Sequence, residues 1–140
     1  MRIILRKEKI NGKNEILISE DLSSLKGADP LTLAKAIADR LDAKKGHEVK
    51  VLAVGEKTSI ADYFVLCTGN SSTHVKALAG EAEDHISKRE VEPDNVEGRG
   101  NHTWIVIDYG NVIVHVFSRE AREFYNLDKL YGDSKTVFEY

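Results

Sequence analysis

With 140 residues, 41% of them apolar and 31% charged, and a formal charge of −3, the chain reads as one globular domain long enough to bury a core. This charge balance argues against broad binding of phosphate backbones, which draws on clustered Lys and Arg, and suits a basic protein partner better than naked nucleic acid. No apolar run approaches the ~20 residues that span a bilayer. The start, Met1-Arg-Ile-Ile-Leu-Arg-Lys-Glu-Lys9, lacks the apolar stretch and cleavage site of a signal peptide. One cysteine, Cys67, and five scattered histidines show neither a disulfide pair nor zinc-ligand spacing. The expectation is a cytoplasmic protein with no metal and no cofactor.

Residues 1–27 form a mixed-charge leader in which residues 2–10 and 13–19 flank Asn11-Gly12, a type I′ hairpin signal. An isolated hairpin is marginal in water unless it packs on something, so an ordered hairpin and an unpaired leader stay open. Residues 21–27 read as a linker. Asp29-Pro30 then opens a helix, the aspartate as N-cap and the proline at the first helical position, with Leu31, Ala34, Ile37, Ala38 and Leu41 on one face. Residues 47–54 alternate into a strand. Residues 62–68 form a second strand whose near-continuous apolar run predicts burial on both faces.

Gly69-Asn70-Ser71-Ser72 turns that strand into a helix capped by Ser71 or Ser72, with Val75, Leu78, Ala79, Ala82 and Ile86 as its buried stripe. Pro93, Gly98 and Gly100 make residues 90–102 a loop with room for a short edge strand near Val96. Trp104-Ile-Val-Ile-Asp-Tyr-Gly-Asn-Val-Ile-Val-His-Val-Phe117 predicts two strands and a tight turn at Gly110. Ser118 caps a final helix carrying Phe124, Leu127 and Leu130. The fold class that follows is α/β (α+β), a single mixed sheet with helices mainly on one face. Residues 28–132 form the domain and residues 133–140 a tail.

The hairpin sorts its side chains by parity. Ile105, Ile107, Tyr109, Val112, Val114 and Val116 make an ordinary core face, whereas Trp104, Val106, Asp108, Ile113, His115 and Phe117 mix aromatics with a carboxylate and an imidazole. If helices cover one face only, this second face is open. Trp104 then anchors either a partner interface or plain core packing.

Catalytic readings of the same residues are weaker. The Gly69 turn would offer N–H groups to a phosphate, but the P-loop lysine and the G-x-G-x-x-G spacing are absent, which favours a capped turn. Asp108 lacks a carboxylate partner two residues away, since residue 106 is valine and residue 110 glycine, and metal-dependent nucleotidyl transfer needs such a pair. Cys67 inside an apolar strand reads as core, and His115 with Asp108 lacks a nucleophile to serve. A small nucleotide-binding transferase using the Gly69 turn stands as the alternative function.

Asp62-Tyr-Phe-Val-Leu-Cys-Thr-Gly-Asn-Ser-Ser-Thr-His74, Glu97-Gly98, the Trp104 to Phe117 stretch and Arg122-Glu-Phe-Tyr-Asn-Leu-Asp-Lys-Leu-Tyr131 together resemble the ribosomal silencing factor family, also called the Iojap or RsfS family. The resemblance spans roughly residues 30–131 in matching order and leaves the leader outside. It implies a nucleotidyltransferase-like fold without the catalytic carboxylates, and therefore no enzyme. It also implies binding to the large ribosomal subunit through the basic protein uL-fourteen, blocking small-subunit joining and lowering translation when nutrients are scarce. By that resemblance the contact surface includes Trp104, Asp108 and Gly110, with Glu97, His115, Phe117, Tyr125 and Tyr131 as neighbouring contributors. It leaves room for a homodimer, and no direct nucleic-acid site or membrane contact is expected. Two positions depart from the family pattern: Asn111 replaces an acidic residue after the turn glycine, and Tyr131 replaces a closing Trp.

Overall fold

In chain order the strands are β1 (Ile3–Ile10), β2 (Asn14–Asp21), β3 (His47–Ala53), β4 (Tyr63–Gly69), β5 (Asn95–Glu97), β6 (Trp104–Asp108), β7 (Val112–Ser118) and β8 (Lys135–Glu139). The helices are α1 (Pro30–Ala43), α2 (Ser72–Lys88), α3 (Arg119–Tyr125) and α4 (Leu127–Leu130). They are seen in a computed structural model that describes residues 2–10, 12 and 14–140. Among the described residues no helix is long and apolar enough to cross a membrane.

The apolar run of β4 explains the centre of the sheet. It pairs in parallel with β7, Tyr63 opposite Val112 through Gly69 opposite Ser118, and a parallel pair needs cover on both faces. From Phe64 to Gly69 every residue is buried, and so is all of β7. Antiparallel neighbours extend the sheet to the order β5-β6-β7-β4-β3-β8. One face carries Val49, Val51, Val65, Cys67, Ile105, Ile107, Val112, Val114 and Val116 beneath the apolar stripes of α1 and α2. The other carries Leu52, Phe64, Leu66, Ile113 and Phe117 beneath Ala121 and the half-buried Leu127 and Tyr131.

The predicted caps form. Asp29 Oδ1 accepts from the Thr32 N–H at 2.7 Å, Ser71 Oγ from that of His74 at 3.1 Å, and Ser118 Oγ from that of Ala121 at 3.1 Å. Each satisfies a donor that the first helical turn leaves without a partner. The mixed sheet matches the predicted class, with the two long helices on one face.

Four expectations need correction or completion. The leader is ordered as a hairpin. Because Ile10 pairs with Asn14, its connection is three residues rather than two, and the expected turn residue Asn11 lies outside the described residues. The tail is part of the sheet, since β8 pairs with β3. Its five residues alternate only weakly, and a short edge strand draws its partner from far along the chain. The final helix breaks into α3 and α4 at Asn126, which adopts the left-handed conformation (φ 49°) that asparagine tolerates better than most residues. The face of Phe117 is covered by these short helices, so it is closed where β4 and β7 lie.

One glycine sets where the central hairpin begins. Gly98 has φ +89°, and a Cβ there would run into the carbonyl oxygen of Trp104. Ala at 98 must strain its own backbone and push the β6 backbone away. Gly98→Ala is expected to destabilise the domain by about 2 kcal/mol or more. The shift in urea midpoint at unchanged slope measures it.

Candidate docking site

The β6–β7 turn is held from within. Asp108 Oδ1 accepts from the Gly110 N–H at 2.7 Å, the Tyr109 N–H donates to the Val112 carbonyl at 2.9 Å, and Gly110 takes φ +87°. Glycine at the first central position suits a two-residue II′ hairpin. Pairing then runs from Asp108 opposite Ile113 to Trp104 opposite Phe117, giving the parity sorting expected from the sequence.

On the second face the sheet continues to β5, where Asn95 stands opposite Asp108 and Glu97 opposite Val106. Glu97, Val106, Asp108 and Trp104 therefore share one side of the β5–β6 edge. Helix α3 packs on β7 and β4 and reaches β6 at Trp104 through Tyr125, while Val106 and Asp108 are half-buried and Glu97 is exposed. At a strand rise of about 3.3 Å, Trp104 and Asp108 mark the ends of a strip roughly 13 Å long, with Glu97 beside its middle.

Trp104 is half-buried and joins the strip to an aromatic rim. Its ring centroid lies 5.4 Å from that of Phe117 and 4.5 Å from that of Tyr125, which touches Phe124 edge-on at 5.1 Å. Phe124 is 81% exposed and Tyr125 52%, and on α4 Leu130 is 70% exposed. Phe124 and Tyr125, exposed and in ring contact, extend the aromatic rim outward from Trp104.

The other candidates fall where this geometry puts them. Glu97 is exposed, while Asp108 and Gly110 are half-buried at the turn. Tyr131 is half-buried, edge-on to Phe64 at 4.9 Å. Two named contact residues are corrected: His115 is 7% exposed and Phe117 1%, so both support the surface from below and cannot meet a partner directly. Parity put them on the right face, but parity says nothing about which part of a face a later helix covers.

His115 is held by its neighbours. Its Nδ1 accepts from the Trp104 indole N–H at 3.1 Å, and its ring meets Phe64 edge-on at 4.7 Å. Burial pushes the imidazole down to about 4, so it stays neutral in the fold near pH 7.

Arg122 was missed as a residue with a job of its own. It is 6% exposed and its guanidinium is fully engaged: Nε donates to Asp128 Oδ2 at 3.0 Å, Nη2 to Asp128 Oδ1 at 2.9 Å, and Nη1 to Thr68 Oγ1 at 2.9 Å and to the Glu48 carbonyl at 2.7 Å. Burial works against the Asp128 carboxylate, but the Arg122 hydrogen bonds and charge, with Lys50, outweigh it and hold the group below its usual value. The sequence signal was an arginine in the first turns of a helix with an aspartate six residues on, a spacing that fits no single helix.

The catalytic alternatives do not assemble. In the Gly69 turn the Asn70 N–H donates to His74 Nδ1 at 2.9 Å, and the His74 and Val75 N–H groups are taken by Ser71. Gly69 is required by packing, since a Cβ there would lie 2.8 Å from Val75 Cγ2. Cys67 is buried on the α1–α2 face, across the sheet from His115, and burial pushes its thiol up to about 12. Asp108 Oδ1 accepts from the Gly110 N–H and His115 Nδ1 from the Trp104 indole, and among the described residues no hydrogen bond joins Asp108 to His115.

Taken together, the fold and surface define a class: an α+β domain whose distinctive feature is an aromatic and acidic strip on its central hairpin. The model of the family described as ribosomal silencing factor during starvation matches residues 28–139, and the chain belongs to that family, RsfS or Iojap. Ribosomal silencing factor RsfS of Halalkalibacterium halodurans is 38% identical over 105 residues, 75% of this chain and 90% of that protein. The protein of the same name from Bacillus subtilis is 35% identical over 103 residues, 74% of this chain and 87% of that one. A crystal structure of a Chromobacterium violaceum protein superposes with a TM-score of 0.72 at 28% identity, covering 79% of this chain and 92% of that chain. The leader hairpin lies outside the family match.

Two outcomes follow. Arg122→Ala removes the counter-charge of a half-buried carboxylate and is expected to cost about 3 kcal/mol, read by denaturant unfolding. Acid should act through His115. The unfolded imidazole titrates near 6.5 and the folded one near 4, so the folded state loses stability as pH falls from about 6.5 to about 4, by up to roughly 3 kcal/mol from this group. His115→Phe should flatten that part of the pH profile. It leaves the contribution of His85, whose pKa burial and the nearby Arg40 also lower.

Proposed function

We propose that this chain docks on the large ribosomal subunit through the Trp104 strip, with ribosomal protein uL-fourteen as its contact, and keeps the small subunit from joining. The observation that carries the reading is the half-buried Trp104 flanked by the exposed Phe124 and Tyr125 and sharing its sheet face with Glu97 and Asp108. An aromatic anchor supplies contact area that loses little entropy on binding, and carboxylates beside it complement a basic protein and speed encounter. Family membership and the names of the relatives support a silencing role. The mechanism is occlusion, and no bond is made or broken.

The internal hydrogen bonds of the turn matter to this reading. Asp108 gives one carboxylate oxygen to Gly110, which leaves the other for a cation on the partner. Asn111 at the following position adds no charge, so this surface carries one carboxylate fewer than the family pattern and leans more on its aromatic rim.

Co-sedimentation with isolated large subunits, followed by a subunit-joining assay, tests the proposal. Trp104→Ala is expected to weaken binding roughly tenfold or more while the domain stays folded. Glu97→Lys is expected to weaken it further as salt falls, because a reversed charge repels more when screening is low. Wild-type retention of the subunit by the folded Trp104→Ala protein would reject this surface.

A further inference from the structure

The contact between Trp104 and His115 is poorly explained by stability. Trp104 is half-buried, and its indole N–H turns inward to donate to His115 Nδ1 at 3.1 Å. A neutral imidazole that accepts at Nδ1 carries its proton on Nε2. That Nε2 is buried and has no hydrogen-bond partner among the described residues, where the rings of Phe64, Phe117 and Trp104 contact the imidazole. A buried donor left unpaired is a cost that a phenylalanine in the same place would not carry. The histidine therefore serves its neighbour rather than the core.

We infer that His115 is a positioning residue for docking: its Nδ1 fixes the indole of Trp104 with the N–H turned inward, so that a partner meets the carbon ring and not a hydrogen-bond donor. The inference rests on the docking role proposed for Trp104 and adds to it a chemistry of recognition. A surface that withholds its donor and offers a ring beside Glu97 and Asp108 suits a Lys or Arg side chain, whose aliphatic stem lies along the indole while the charged end meets the carboxylates. It disfavours a partner that would present a carbonyl or carboxylate to Trp104. Phe117 and Tyr125, with ring centroids 5.4 Å and 4.5 Å from that of Trp104, give the indole two further ring contacts. Among the residues in contact with its ring, His115 supplies the hydrogen bond that sets its orientation.

Trp104 is the sole tryptophan, so the protein has one indole N–H signal and one indole fluorophore. The test compares wild type, His115→Phe, His115→Asn and Trp104→Ala. The indole N–H shift and its hydrogen-exchange rate are read by NMR, thermal unfolding reports stability, and co-sedimentation with large subunits reports docking. Phenylalanine keeps the ring and removes the acceptor; asparagine loses the ring but places its side-chain oxygen near the position of Nδ1. In His115→Phe the indole signal should move and lose protection, stability near pH 7 should be equal or higher, and subunit binding should fall roughly tenfold. In His115→Asn the protection and the binding should be substantially restored despite lower stability. A purely structural histidine predicts the opposite order, binding following stability.

The inference is overturned if the indole of His115→Phe stays protected, or if it is released while binding holds at the wild-type level. Wild-type binding by Trp104→Ala is a different failure. It rejects the docking surface itself, and this inference with it, whatever the indole signals show.

Discussion

Arg122 holds the second layer to the sheet, and the proposed docking surface depends on that attachment. Its guanidinium joins α4 through Asp128, β4 through Thr68 and the beginning of β3 through the Glu48 carbonyl. Helices as short as α3 and α4 have little stability of their own, because nucleating a helix is costly and a few turns do not recover the cost. Most of their order must come from tertiary contacts. A buried arginine with every nitrogen engaged supplies direction, and Leu127 and Tyr131 supply apolar contact against Phe64 and its neighbours. Tyr125 stands beside Trp104 because this layer is pinned.

Below that layer the order of the strands does the rest. The parallel β4–β7 pair is buried on both faces, so β6 and β5 lie toward one edge, where the short helices touch Trp104 through Tyr125 and Val106 and Asp108 are half-buried. The same hairpin thus has a closed strand and a half-open one. His115 and Phe117 belong to the first, Trp104, Val106 and Asp108 to the second. A single run of alternating residues becomes both core and half-buried surface. The boundary between them runs through the aromatic cluster, where Trp104 donates its N–H to the buried His115.

Much of the candidate site was legible. Alternation in the Trp104 to Phe117 stretch assigned each residue to its face, and the register agrees. Glycine at 110 foretold a tight turn, and the structure adds the hydrogen bond from its N–H to Asp108. The depth of His115 and Phe117 was not legible, because it depends on how far α3 extends across the sheet. Nor was the break at Asn126, where the side chain accepts from the Lys129 N–H and the backbone N–H closes on Arg122, so that one apolar helical pattern is carried by two helices.

What the sequence determined by itself were the features made within a few residues: the caps at Asp29, Ser71 and Ser118, the turn at Gly110, and the sorting of side chains by helical and strand period. These rest on local hydrogen bonds and backbone sterics, which neighbouring residues specify. The tertiary structure alone decided the pairing of β8 with β3, the burial of His115 and the place of Arg122. Arg122 meets residues 54 and 74 positions away. A guanidinium with fixed donor directions needs acceptors at fixed places, and only the folded sheet brings Thr68, Glu48 and Asp128 together around it.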